Sequence, residues 1–249
     1  EEVPQAYEQL SDELQNSANK VGDTLDNNTL VYASPSFDAG GATVSFGLAY
    51  SPDSHDNAVN NGYSEGTAHA GYYGEGVGLG VTINAGALTI GGYGHERDAV
   101  KNRAAGTDAI RDEFHGVWFA KYSVGPVSFG YSNSYHDAGL TGTGGTANAA
   151  KTVGTSSGFF ENEQMSIAFN VNDNLSISWS DSSDSYDSQD NNSSGTATAD
   201  VDKDTDALQI AYSMGGLSIK AYRMEETNPN YDGNATSMEK SEVSLGLAF

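Results

Sequence analysis

Five histidines, one Gly-x-Ser-x-Gly string and many carboxylates are the residues of this sequence that could do chemistry. The string Gly154-Thr155-Ser156-Ser157-Gly158 matches the turn that exposes a nucleophilic serine. That chemistry needs a histidine base after the serine in chain order. The histidines lie at 55, 69, 95, 115 and 136, so none follows it. They show no metal-ligand spacing, and most are expected in loops or at rims. There is no His-Glu-x-x-His, no phosphate loop and no dinucleotide fingerprint. The absence of cysteine removes disulfides and thiolate metal sites. The chain is therefore expected not to be an enzyme.

The carboxylates suggest a different chemistry. Asp181, Asp184, Asp187 and Asp190, with Asp202, Asp204 and Asp206, offer oxygen ligands of the kind Ca²⁺ takes. Asn228, Asn230, Asp232, Gly233 and Glu239 fit a loose calcium-loop spacing, but the run begins with Asn and lacks flanking helices. Asp181, Asp184, Asp187, Asp190, Asp232 and Glu239 are candidate ligands for Ca²⁺ in external loops. The plain alternative is a set of solvated hairpin loops, and no cofactor is required. Lys and Arg number 11 against 34 Asp and Glu, giving a formal net charge of −23. Such a chain repels phosphate backbones, which argues against nucleic acid as a partner, and attracts cations.

The elements that carry these residues follow from periodicity. Residues 4–20 read as a short helix: proline suits the first turn, and Leu10, Leu14, Ala18 and Val21 recur at helical spacing, with Gly22 as a stop. From Asn28 the period becomes two. Val44, Phe46, Leu48 and Tyr50 alternate with small residues, as do Val77, Leu79, Val81 and Ile83. Met165, Ile167, Phe169 and Val171 repeat the pattern, and Val243, Leu245, Leu247 and Phe249 close the chain. In the strand carrying Phe114, Trp118, Tyr122 and Val124, the residues Val117 and Phe119 blur the second face. Eleven strands can be counted.

Five connections are tight: Asp38-Ala39-Gly40-Gly41, Asn84-Ala85-Gly86, Gly125-Pro126, Asn172-Asp173-Asn174 and Gly215-Gly216. Gly, Asn and Pro make turns there for separate stereochemical reasons. Five long polar segments, near 52–72, 96–112, 137–159, 181–206 and 225–238, alternate strictly with them. In a meander all tight turns then lie at one rim and all long loops at the other. Transmembrane β-barrels have this asymmetry. Mean hydropathy is only −0.48, as expected when every second residue meets lipid. One strand face is apolar and aromatic. The other is Ser, Gly, Ala, Asn, Gln and Lys, small enough to border water. A secreted all-β module with a dry two-layered core is the competing architecture.

Two stretches add a resemblance. Asn28-Thr29-Leu30-Val31-Tyr32-Ala33-Ser34-Pro35-Ser36-Phe37 with Ala42-Thr43-Val44-Ser45-Phe46-Gly47-Leu48-Ala49-Tyr50 resembles the hairpin after the constriction loop in trimeric Gram-negative general porins. The likeness is nearest to alphaproteobacterial, Rhodobacter-type porins. Ser244-Leu245-Gly246-Leu247-Ala248-Phe249 is similar to their last strand, whose terminal Phe is the assembly signal. The resemblance implies an all-β antiparallel meander barrel of sixteen strands in the outer membrane, with the third loop folded into the pore. Counting back from Phe249 makes the Leu30 strand the sixth. Residues 1–27 are then expected as the tail of the inward loop, with its helix, and 28–249 as barrel strands. A complete twelve-stranded barrel is the alternative.

The resemblance further implies a passive channel for small hydrophilic solutes and ions. Acids on the inward loop (Glu1, Glu2, Glu8, Asp12, Glu13, Asp23 and Asp26) would face wall bases Lys121, Lys220 and Lys240. Cation preference, a homotrimer, and outer-membrane lipid and lipopolysaccharide as partners are expected. A non-conducting barrel with an adhesive or structural role is the functional alternative.

Overall fold

The computed structural model describes residues 3–7, 21, 29–52, 73–99, 112–139, 151, 153, 158–189 and 200–248. The strands are β1 (Leu30–Ala33), β2 (Phe37–Asp38), β3 (Thr43–Ser51), β4 (Tyr73–Ala85), β5 (Leu88–Ala99), β6 (Glu113–Val124), β7 (Val127–Asp137), β8 (Phe159–Asn172), β9 (Leu175–Asp187), β10 (Val201–Met214), β11 (Leu217–Glu226) and β12 (Met238–Leu247). All twelve form one antiparallel sheet, and each strand from β3 onward pairs with the next in sequence. The pattern of two thus gives the expected meander. The strand beyond the eleven expected is the two-residue β2. β1 and β2 both pair with β3, interrupted at Ser34-Pro35-Ser36, where proline has no N–H to give the ladder. There the Ser34 hydroxyl accepts the Phe46 N–H at 2.8 Å in place of a carbonyl.

The five tight turns join β2–β3, β4–β5, β6–β7, β8–β9 and β10–β11. Gly125 takes a φ of 55°, and Pro126 after it is held at negative φ. Glycine first in a two-residue loop matches strand twist. At the opposite strand ends, one connection is shorter than the polar composition suggests. β9 continues to Asp187 and β10 begins at Val201, so Asp181, Asp184, Asp187, Asp202, Asp204 and Asp206 lie on strands. Polar residues pair there because the strands rise beyond the apolar band.

The two faces are inverted relative to a soluble sheet. Leu79, Leu208 and Leu245 are 54%, 62% and 63% exposed, whereas Ser132, Ser134, Asn162, Gln164 and Gln209 are buried. Apolar rows outside and polar rows inside are stable only where the outer solvent is hydrocarbon. This removes the dry-core alternative: the aliphatic rows do not meet one another. No helix among the described residues is long and apolar enough to cross a membrane; the crossing is made by strands. Val117 and Phe119 lie on the inner face, on the same side as Lys121 and His115. Phe119 fits because Gly91 is its cross-strand partner; a Cβ on Gly91 would approach the Phe119 ring to 2.5 Å.

The predicted helix over 4–20 is corrected for its described part. Residues 3–7 are irregular, because their backbone groups bond to the strand wall instead of to each other; the remainder lies outside the described residues. Among the described residues β1 and β12 do not pair with one another, so each ends the sheet with an open edge.

Opposite faces make opposite predictions. Ile177 is 38% exposed on the outer face, and its neighbour Ser176 faces inward. Ile177→Arg should cost about 2–4 kcal/mol of stability in lipid, while Ser176→Arg should cost much less. Urea titration in phospholipid vesicles measures this, and equal losses would refute the assignment of faces.

Candidate functional site on the inner face

The segment 3–7 crosses the inner face strand by strand. Pro4 sits against Gly130 of β7, where a Cβ would collide with its ring. The Ser166 hydroxyl of β8 donates to the Pro4 carbonyl at 2.7 Å. The Ala6 N–H donates to Ser178 Oγ of β9 at 2.8 Å. The Tyr7 N–H donates to Gln209 Oε1 of β10 at 3.0 Å. The Tyr7 ring lies 5.8 Å from that of Tyr222 on β11, and its hydroxyl donates to Glu242 of β12 at 2.5 Å. Tyr7, Ala207, Tyr222 and Met224 are buried together beneath it. Small or polar wall residues at these heights let a backbone lie flat on the sheet.

The predicted wall bases share this face. Lys121 lies across from Thr89 and Gly130, with its ammonium 4.8 Å from the Phe119 ring centre. Lys220 reaches to 5.6 Å from the Tyr7 ring. Lys240 is the partner of Met224 on β12. The predicted acids Glu1, Glu2, Glu8, Asp12, Glu13, Asp23 and Asp26 lie outside the described residues.

The candidate calcium ligands are not gathered. Asp184 is buried on the inner face, whereas Asp181 and Asp187, three residues to either side, belong to the outer row. Odd spacing along a strand puts side chains on opposite faces. Asp184 pairs with Lys203 at 3.9 Å, and the Tyr231 hydroxyl donates to it at 3.4 Å. The short 3-10 turn Pro229–Tyr231 carries Tyr231 there. Burial, then the Asp184 charge, pushes its phenol above the usual tyrosine range. Asp232 accepts from the Asn234 N–H in its own turn, and Glu239 pairs with Arg223 at 3.3 Å. Asp190 lies outside the described residues.

A second constellation escapes sequence reasoning. Most histidines are expected in loops or at rims, but His95, His115 and His136 are buried on the inner face. They occupy one rung, paired His95 to His115 and His115 to His136, with ring centres 4.5 and 3.9 Å apart. Phe160 and Tyr186 extend the rung onto β8 and β9. Glu113, two residues before His115, shares its face. Its carboxylate lies 2.6 Å from His115 Nε2 and 2.6 Å from an Arg97 nitrogen. The signal was present: His115 and His136 are equidistant from the Gly125-Pro126 turn, which makes them cross-strand partners. His55 and His69 lie outside the described residues.

No protein-family model matches the chain, and no curated protein matches it. Among solved structures it is similar to OmpT, an outer membrane protein of Vibrio cholerae, in its in-vitro folded trimer form. That likeness has 15% identity and a TM-score of 0.49, and covers 88% of this chain and 64% of that one. It is also similar to the OmpT mutant lacking loop L8, at 15% identity and a TM-score of 0.49, covering 88% of this chain and 62% of that one. The chain thus spans less than two thirds of those proteins' length. The inverted faces of the sheet carry the membrane assignment, and the chain is a membrane-spanning antiparallel sheet of the β-barrel type.

The expectation that the chain is not an enzyme is corrected. It rested on the missing catalytic motifs and on histidines without metal-ligand spacing along the chain. The fold brings Glu113, His115 and His136 within ligand distance of one another, a set used in catalytic as well as binding centres.

The buried ion pair sets a stability prediction. Glu113→Ala leaves the Arg97 guanidinium in a site where the arginine is only 6% exposed, and should cost about 3 kcal/mol or more. Arg223→Ala removes exposed pairs to Glu225 and Glu239 and should cost under about 1 kcal/mol. Urea unfolding of both variants tests this; similar small losses would show that the Arg97–Glu113 pair is solvated.

Proposed function

We propose that this chain forms the wall of a passive diffusion pore for small hydrophilic solutes and ions, of the general-porin type, with a preference for cations. One observation carries the reading. A polar inner face is crossed by residues 3–7, held to successive strands by hydrogen bonds from Pro4 to Glu242. A chain segment laid across a water-lined wall narrows the passage and sets its field. Acids Glu1, Glu2, Glu8, Asp12, Glu13, Asp23 and Asp26 opposite Lys121, Lys220 and Lys240 would make that field transverse. The formal charge of −23 supports cation preference.

Closure in lipid requires partners for the open edges of β1 and β12. Further strands, as in a sixteen-stranded barrel, meet that need. Assembly as a homotrimer, as in the trimer form of the Vibrio OmpT, belongs to the same proposal. Outer-row acids such as Glu163, Asp181 and Asp204 suit contact with lipopolysaccharide through divalent cations.

A non-conducting barrel is the second reading. It is supported by the packed cluster of Val153, Phe160, Tyr186, Val201 and Tyr231, which fills part of the inner face near the long loops.

Planar-bilayer recording tests the proposal. Unit conductance steps are expected, with a reversal potential that favours K⁺ over Cl⁻ in a salt gradient. Gly130→Leu, which displaces Pro4 from the wall, should change the unit conductance while the barrel still folds. A folded, inserted protein that gives no steps would reject the pore in favour of the closed barrel.

A further inference from the structure

We propose that Glu113, His115 and His136 form a binding site for a borderline divalent transition-metal ion, with Zn²⁺ as the reference ion. Their ligand atoms, one carboxylate oxygen and two imidazole nitrogens, all lie within 4.8 Å of one another. Around zinc, ligands at about 2.0–2.2 Å in tetrahedral array stand roughly 3.3–3.5 Å apart. Small side-chain rotations close that difference. Two imidazoles and one carboxylate select zinc and its neighbours, because imidazole suits these ions. Ca²⁺ and Mg²⁺ prefer several oxygen ligands, and here only one carboxylate is in place.

Three features separate this group from a packed row of rings. The same rung on β8 and β9 is held by Phe160 and Tyr186, so packing alone is served by carbon rings. On β6 and β7 the rung carries nitrogen donors instead. His136 is 2% exposed, and its Nδ1 has no hydrogen-bond partner among the described residues. A buried nitrogen without a partner is costly, and a metal ion would satisfy it. Arg97 holds one Glu113 oxygen at 2.6 Å while the other faces His115 at 2.6 Å. The guanidinium thereby orients the carboxylate from outside the ligand set, as outer partners do in metal sites. On binding, the His115 nitrogen that faces Glu113 turns its lone pair to the ion and releases any proton it carries to solvent. Three protein ligands leave the remaining position for water.

The test uses the full chain folded in detergent. Equilibrium dialysis against ZnCl₂ with excess MgCl₂ should give one bound zinc per chain. Co²⁺ in its place should give the visible absorption of a low-coordinate nitrogen–oxygen site. His136→Phe and His115→Phe keep the ring rung, and each should weaken zinc binding by more than the roughly 10–100-fold that an outer partner is worth. His95→Phe should stay within a few fold, as should a chain with His55→Ala and His69→Ala together. Heat-dependent gel mobility checks folding. Should a phenylalanine variant fail to fold, Glu113→Gln is read by the same dialysis and must also lose the ion. Absence of stoichiometric zinc, or binding unchanged in folded His136→Phe or Glu113→Gln, overturns the site.

Discussion

Hydrocarbon offers no hydrogen bonds, so every backbone N–H and C=O that crosses it must be paired within the protein. That demand governs this sheet. It forces neighbouring strands into a continuous antiparallel ladder, and the ladder allows no freedom of register, since a slip of one residue would turn every apolar side chain inward. Once register is fixed, the position of each side chain is fixed as well: its face by parity, its height by distance from the nearest turn. The tight turns supply the origin for that count. The interruption between β1 and β2 shows how the demand is met where proline breaks the ladder, with a serine hydroxyl standing in for a backbone acceptor.

The inner face is the only place where polar chemistry can be kept at membrane depth, and it is organised accordingly. Several buried Ser, Asn and Gln side chains bond to one another or to the crossing segment; the Asn162 amide donates to Ser182 at 2.7 Å, and Gln209 to Ser180 at 3.1 Å. Two deeply buried cations on this face are compensated: Arg97 by Glu113, and Lys203 by Asp184 under the Tyr231 ring. An unpaired charge at either place would carry a large desolvation penalty. The outer row tolerates uncompensated acids only above the apolar band, where Asp181, Asp204 and Asp206 lie close together.

The fold was largely legible because it depends on period and turn chemistry, both local properties of the chain. Alternation at Val77–Ile83 and the glycines at 86, 125 and 215 were enough to place strands, turns and rims. The strand ends beyond the lipid were not legible. Asp181 to Asp187 and Val201 to Asp206 lack apolar alternation, since neither face meets hydrocarbon there, and so they read as loop. The helix signal over 4–20 depended on local periodicity alone, and bonds to strands far away in sequence override it at Pro4 to Tyr7. The histidine group was hidden for a related reason. Motif reading looks for ligands spaced along one element, whereas these are spaced across a hairpin.

Spacing across a hairpin separates two sets of residues that look alike in sequence. Asp181, Asp184 and Asp187 are near neighbours along the chain, yet parity sends the middle one inward and its companions outward, so proximity in sequence works against a shared ligand. His115 and His136 are far apart along the chain, yet the Gly125-Pro126 turn makes them direct partners, and Glu113 joins them because it is two residues from His115. In a meander the natural unit of a site is therefore a rung with its same-face neighbours. A rung also fixes how far its members can move, because both ends of each backbone are held by the ladder. Ligands placed this way are pre-oriented by the same hydrogen bonds that let the sheet cross the membrane, so chemistry on the inner face needs no separate scaffold.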